Sequence, residues 1–223
     1  MGRTALIAGA SGLVGGQCLR LLLESNRYQR VVALTRRVLP VAHAKLSGEV
    51  VDFVHLDKVE KADDVFCALG TTMRQAGSQE AFRNVDFDHS KRLAELALAA
   101  GAKRFVLVSA VGADPGSRSF YLRVKGELEA ALSTLPFEAL HIFRPSLLVG
   151  ARTERRPGEA LTIIAAQIVE FTLVGKMRRY RPIAAETVAA AMLAAVTRGG
   201  GLQIYEYDQI KALARDAEPP PLD

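Results

Sequence analysis

Tyr121 and Lys125 stand four residues apart in SFYLRVKGELEAAL (119–132), a spacing that puts both side chains on one face of a helix. A phenol and an ammonium so placed can move a proton. A phenol titrates at about 10 and is a poor acid or base at neutral pH, whereas a neighbouring ammonium favours its ionised form. Ser109 ends the apolar run RFVLVS (104–109), ahead of Tyr121, where its hydroxyl could hold a substrate carbonyl in place. Y-x-x-x-K alone arises by chance in many helices, with the tyrosine packed in a core. Its meaning rests on the surrounding sequence.

The stretch IAGASGLVGGQCLRLLLE (7–24) passes from a short apolar run into a leucine-rich helical pattern, with Gly9, Gly12 and Gly15 spaced G-x-x-G-x-x-G between them. Placed strand–turn–helix, the first glycine allows a tight turn, the second lets a pyrophosphate approach the backbone, and the third lets helix pack on strand. The helix N-terminus adds free N–H groups and the positive end of its dipole. This pattern points to a dinucleotide, whose nicotinamide ribose Lys125 could also bond. An NAD site wants an acidic residue about 20 residues on. That place reads ALTRR, with Arg36 and Arg37 after Thr35, and guanidinium groups there suit a 2′-phosphate. NADP(H) is therefore expected over NAD(H). Asp52 and Phe53 are expected to end the third strand, where the carboxylate either accepts from the adenine amino group or caps a turn. CALGTT (67–72) should end the fourth, with Gly70 allowing close approach. The expected dinucleotide contacts are Gly9, Ser11, Gly12, Leu13, Val14, Gly15, Arg36, Arg37, Asp52, Phe53, Leu69, Gly70, Thr71, Thr72 and Lys125.

Positioning these groups takes alternating strands and helices. Strand-like runs occur at 4–9, 30–35, 49–54, 64–69, 104–109, 139–145 and 202–207, and helical patterns at about 12–24, 78–100, 118–134, 158–173 and 184–198. Several runs are continuously apolar, as strands buried on both faces must be. The expectation is an α/β fold with a doubly wound parallel sheet (a Rossmann fold) in the order 3-2-1-4-5-6 and a small C-terminal cap. Residues 1–223 should form a single NAD(P)-binding domain, with 146–201 as a small substrate-side extension and a proline-rich, extended end, DAEPPPLD.

Composition narrows the function classes. Of 223 residues 49% are hydrophobic and 24% charged, which is ordinary for a globular chain. Two cysteines, Cys18 and Cys67, read as reduced thiols, and four scattered histidines lack metal-ligand spacing. The N-terminal apolar run is too short for a secretory signal core and no stretch reaches membrane-span length, so a cytoplasmic protein is expected. Net charge is +5, with arginines clustered at 36–37, 152–156 and 178–181, yet no nucleic-acid-binding pattern accompanies them. A small-molecule substrate is expected, without nucleic acid or membrane; a homodimer or protein partner stays open.

GASGLVGG, TRR, VVDF, LGTT, AFRNVDFDHSKRLAELALAAG, VSAVGAD, YLRVKGELEAAL, FRPSLLVGARTERRPGE and AAETVAAAML together resemble the short-chain dehydrogenase/reductase superfamily, in its atypical branch of HIV Tat-interacting oxidoreductase-like proteins. The resemblance covers about residues 5 to 197, with LGTT and the FRP–RPGE block specific to the branch. It implies a Rossmann fold, NADP(H) binding, and Ser109, Tyr121 and Lys125 as the catalytic set. Two positions depart from the superfamily: Asp86 stands where an asparagine often supports a proton relay, and Ser109–Ala110 replaces a double serine. Arg144, Arg152 and Arg156 could face the substrate, although Arg144 could equally anchor the chain after the sixth strand. The reading is an oxidoreductase of a small carbonyl or alcohol. The alternatives are a non-catalytic NADPH-binding sensor or partner-binding protein, or a sugar-nucleotide epimerase or dehydratase.

Overall fold

The computed structural model describes residues 2–150 and 173–217. Most of the expected helix over 158–173, together with Arg152, Arg156 and the proline-rich end, lies outside the described residues. Within them, β1 (Arg3–Ala8), α1 (Leu13–Glu24), β2 (Tyr28–Thr35), β3 (Leu46–Val50) and β4 (Asp64–Cys67) build the first half. After α2 (Met73–Ala76) and α3 (Gln79–Arg83), the helix runs on through a π-helical turn, Asn84–His89, into α4 (Ser90–Ala99). Then come β5 (Arg104–Val108), α5 (Phe120–Ser133), β6 (Ala139–Phe143), β7 (Leu148–Val149), a 3-10 turn (Gly175–Tyr180), β8 (Ile183–Ala184), α6 (Ala185–Ala195), β9 (Gly201–Tyr205) and α7 (Tyr207–Arg215).

Seven strands form one sheet in the order β3-β2-β1-β4-β5-β6-β9, with every pairing parallel. The expected order holds, and β9 adds a strand at its far edge. Side chains of a strand alternate between faces, and both faces here are covered. Ala5, Ile7, Val31, Ala33, Phe66 and Phe143 pack under α1, α6 and α7. Leu6, Ala8, Val32, Val65, Phe105 and Leu107 pack under α4 and α5. Cys18 and Cys67 are buried free thiols.

The third strand ends at Val50, so Asp52 and Phe53 belong to the loop beyond it. The apolar run continues past the strand because Phe53 packs as core, 5% exposed and stacked on His89. The helix expected over 78–100 is present as one continuous run from Gln79 to Ala99, with the π-turn in its middle. Neither α7 nor the two-stranded β7–β8 sheet was foreseen.

Candidate dinucleotide and proton-transfer site

The glycine turn follows β1 directly. Gly9 has φ +88, and a Cβ there would overlap the Ala68 carbonyl beyond β4. A Cβ at Gly15 would overlap the Gly9 carbonyl, so these two glycines serve the turn and the packing of helix on strand. Gly12 is different. A Cβ there would meet only the Gly9 carbonyl oxygen, at 3.2 Å, so its bareness opens outward. It is the N-cap of α1, with no side-chain cap and no acid in the first turn. The first backbone N–H groups of a helix have no partner within it, and here no capping side chain covers them. Ser11 is exposed, Leu13 half-buried, and Val14 points into the core, leaving its backbone to meet a ligand. The turn fits a dinucleotide's pyrophosphate.

Arg36 and Arg37 follow β2 and are exposed; the Thr35 hydroxyl donates to the Arg37 carbonyl at 2.7 Å. Arg36 lies close enough to His89 to help hold that imidazole below its ordinary range, an effect in which burial is the larger cause. Asp52 is exposed. It accepts from the backbone of Val54 at 2.9 Å and faces the His55 ring at 2.7 Å, contacts that hold its carboxyl below the usual range. Asp52 thus caps its own turn through Oδ1.

The loop after β4 carries Leu69, Gly70, Thr71 and Thr72, of which Leu69 and Thr71 are half-buried and the other two exposed. Thr72 caps α2 through Gln75. Gly70 lies against α5 and the π-turn: a Cβ there would be 3.4 Å from Asp86 Oδ1 and 3.8 Å from Lys125 Nζ. Lys125 is 5% exposed, and its ammonium is 2.7 Å from Asp86 Oδ1. Asp86 Oδ2 accepts from the Thr71 backbone at 2.8 Å. Tyr121 is half-buried one turn before Lys125, its ring 5.5 Å from that of Phe82.

Ser109 sits at the end of β5, 5% exposed, and its hydroxyl donates to Glu129. Arg144, just beyond β6, donates to both Glu129 oxygens. Arg144 therefore anchors the chain end, and the one proton of Ser109 is committed to Glu129. Tyr121, Lys125 and Glu129 recur every four residues along α5 and share a face. Glu129 was missed, although that spacing marks it. Gly126 was missed too: a Cβ there would overlap the backbone at Asp114, so this glycine lets the loop after β5 lie on α5.

A family described as NAD(P)H-binding matches residues 9–146. The chain is 38% identical to protein HTATIP2 of Rattus norvegicus over 99% of its own length and 93% of the relative's. The chain belongs to the NAD(P)H-binding proteins, in the atypical branch of the short-chain dehydrogenases/reductases. Another member, protein FMP52-1, mitochondrial, of Scheffersomyces stipitis, is 36% identical over 67% of this chain and 69% of that protein. Among solved structures, human epimerase family protein SDR39U1 with NADPH superposes with a TM-score of 0.62 at 16% identity, covering 91% of this chain and 74% of that one. MoeE5 in complex with UDP-glucose and NAD gives 0.66 at 18%, covering 96% and 81%. At such identities the structural likeness shows the fold. The fungal members are named as mitochondrial proteins, which overturns the expectation of a cytoplasmic location drawn from a short N-terminal apolar run.

Proposed function

We propose that the protein is an NADP(H)-dependent oxidoreductase of a small carbonyl or alcohol. The reading rests on one observation: a buried lysine on the Tyr121 face of α5 lies beside Gly70, in the loop that follows β4 next to the glycine turn. The backbone at Gly12–Gly15 would hold the pyrophosphate, Arg36 the 2′-phosphate with Arg37 beside it, the loop 69–72 the inner ribose, and Lys125 the nicotinamide ribose. When bound, the reduced dinucleotide supplies a hydride. The Tyr121 hydroxyl gives its proton to the carbonyl oxygen as that oxygen gains charge, so carbonyl, hydride and proton balance as an alcohol. Ser109 donates to a carbonyl only when its bond to Glu129 opens, so proton transfer is assigned to Tyr121.

Residues 146–201 are proposed as a substrate-side extension of one domain. Supporting this, β7 pairs with β8, and Gly150 lies against Leu13 at the start of α1. A second reading, NADPH binding without turnover, is favoured by the commitment of Lys125 to Asp86 and of Ser109 to Glu129. Single-turnover oxidation of bound NADPH against a panel of small carbonyls separates the two. Tyr121→Phe should slow turnover by about 10²–10⁴ with NADPH affinity unchanged, and wild-type turnover in that variant would remove Tyr121 from the mechanism. Tight NADPH binding with no turnover on any carbonyl would favour the second reading. Gly12→Val should abolish NADPH binding in a folded protein; undiminished binding would place the phosphates elsewhere.

A further inference from the structure

We infer that Asp86 is a positioning residue: it clamps the loop after β4 to α5 and keeps Lys125 supplied with a counter-ion, so that dinucleotide binding holds up at alkaline pH. The inference rests on the reading that Lys125 meets the nicotinamide ribose.

Two donors face the Asp86 carboxylate from different elements. Lys125 Nζ reaches Oδ1 at 2.7 Å from α5, and the Thr71 N–H reaches Oδ2 at 2.8 Å from the loop. A carboxylate accepts at both oxygens, whereas an asparagine has one acceptor and would turn an N–H donor toward one of these two donors. The environment therefore calls for the acid at this position. Asp86 is 1% exposed and sits in the π-turn, an irregularity often found at functional sites. A buried charge is tolerated when paired and costly when left alone. Each partner here is the other's compensation.

The groups facing Lys125 are few. Asp86 comes from the π-turn, Tyr121 from α5 itself and Cys67 from the end of β4; the loop at Gly70 offers only backbone. Burial alone pushes the ammonium toward the neutral amine, but Asp86 and then Tyr121 pull the other way, and the net direction is upward from the ordinary lysine value. Lysine thus stays charged well into alkaline solution while Asp86 is present. Without Asp86 burial acts with less opposition, and the charge is lost as pH rises through a lower value. Lys125 Nζ has three N–H groups and meets Asp86 Oδ1 as an ion pair at 2.7 Å rather than through a well-directed hydrogen bond, which leaves donors for a ribose.

The test is NADPH affinity, read by the fluorescence of the reduced nicotinamide, from about pH 7 to about pH 9.5, a window below the ordinary lysine value. The wild type should change by less than about threefold, and Asp86→Asn should lose about tenfold or more toward the alkaline end. In a Lys125→Met background, Asp86→Asn should add no alkaline loss. Asp86→Glu keeps the charge and both acceptors, so it should retain the level profile and covers the case in which the asparagine variant does not fold. A level profile in folded Asp86→Asn, or a steep one in Asp86→Glu, overturns the inference alone. Wild-type affinity in Lys125→Met at neutral pH overturns the ribose assignment and this inference with it.

Discussion

At the amino edge of the sheet, Arg3, Tyr28, Asp64 and Arg104 are the first residues of β1, β2, β4 and β5, and all four side chains converge. Asp64 is fully buried. It accepts from the Tyr28 hydroxyl at 2.8 Å and from Arg3 at 3.1 Å, and it pairs with Arg104. At the carboxyl edge the chain ends diverge into loops, and the buried carboxylate Asp86 meets one ammonium and one backbone N–H. The first cluster ties four neighbouring strands together with every oxygen occupied. The second joins a loop to a helix and keeps donors in reserve. Burial pushes the Asp64 carboxyl up against the pull of Tyr28, Arg3 and Arg27, so even a crowded set of partners only partly offsets desolvation. A buried charge by itself does not mark a working site; what sets the proposed site apart from the amino edge is spare donors next to an open backbone turn.

The contrast predicts opposite phenotypes. Asp64→Ala leaves a phenol and two guanidinium groups without their acceptor and should cost about 3–5 kcal/mol of stability. Denaturant unfolding measures this, and NADPH affinity of the folded protein should not change. A large loss of affinity would erase the distinction between the edges. His141 sharpens it from the middle of β6. This imidazole is 0% exposed and bonds Tyr205 through Nδ1 at 3.0 Å, and burial pushes its pKa down to about 4. An unfolded histidine takes up its proton near 6.5. Stability is therefore complete above that value and is lost as pH falls from about 6.5 toward about 4, by up to about 3 kcal/mol. His141→Gln should flatten that limb of the acid unfolding curve.

At the carboxyl edge, Arg36→Ala should weaken NADPH by about 1.5–3 kcal/mol, the worth of hydrogen bonds to a charged group, and leave NADH and stability alone. Equal wild-type affinity for both dinucleotides would remove Arg36 from the site. The smallest effect belongs to the exposed network in which Arg20 pairs with Glu24 and Glu186, each at 2.9 Å. Arg20→Ala should change stability by less than about 1 kcal/mol and affinity not at all.

The inner strands were legible because parallel strands covered on both sides need unbroken apolar runs, and the glycine turn because its spacing has a mechanical cause. The end of β3 was misplaced because Phe53, a core residue in a loop, prolongs the pattern of the strand. α7 escaped because it is short and its capping box is built from Glu206 and Gln209, without the serine or threonine that usually announces one. In the site, Asp86 could be singled out as a departure, but its partners are tertiary: Lys125 arrives from α5 and Thr71 through its backbone. Glu129 shares the four-residue rhythm of Tyr121 and Lys125, yet only β5 and β6 lying side by side bring Ser109 and Arg144 to it.

The order of the strands also sets the tempo at which this molecule can assemble. With every pairing in the seven-stranded sheet parallel, no tight hairpin can start it, since parallel neighbours are joined by crossovers rather than two-residue turns. β1 lies between β2 and β4, with Ala5 opposite Val31 on one side and Asp64 on the other. During synthesis the glycine turn emerges ahead of β4 and gains its second wall only after β4 has followed. Loop-closure entropy comes before the reward of these distant contacts, so refolding should be slow compared with a helical bundle of similar length.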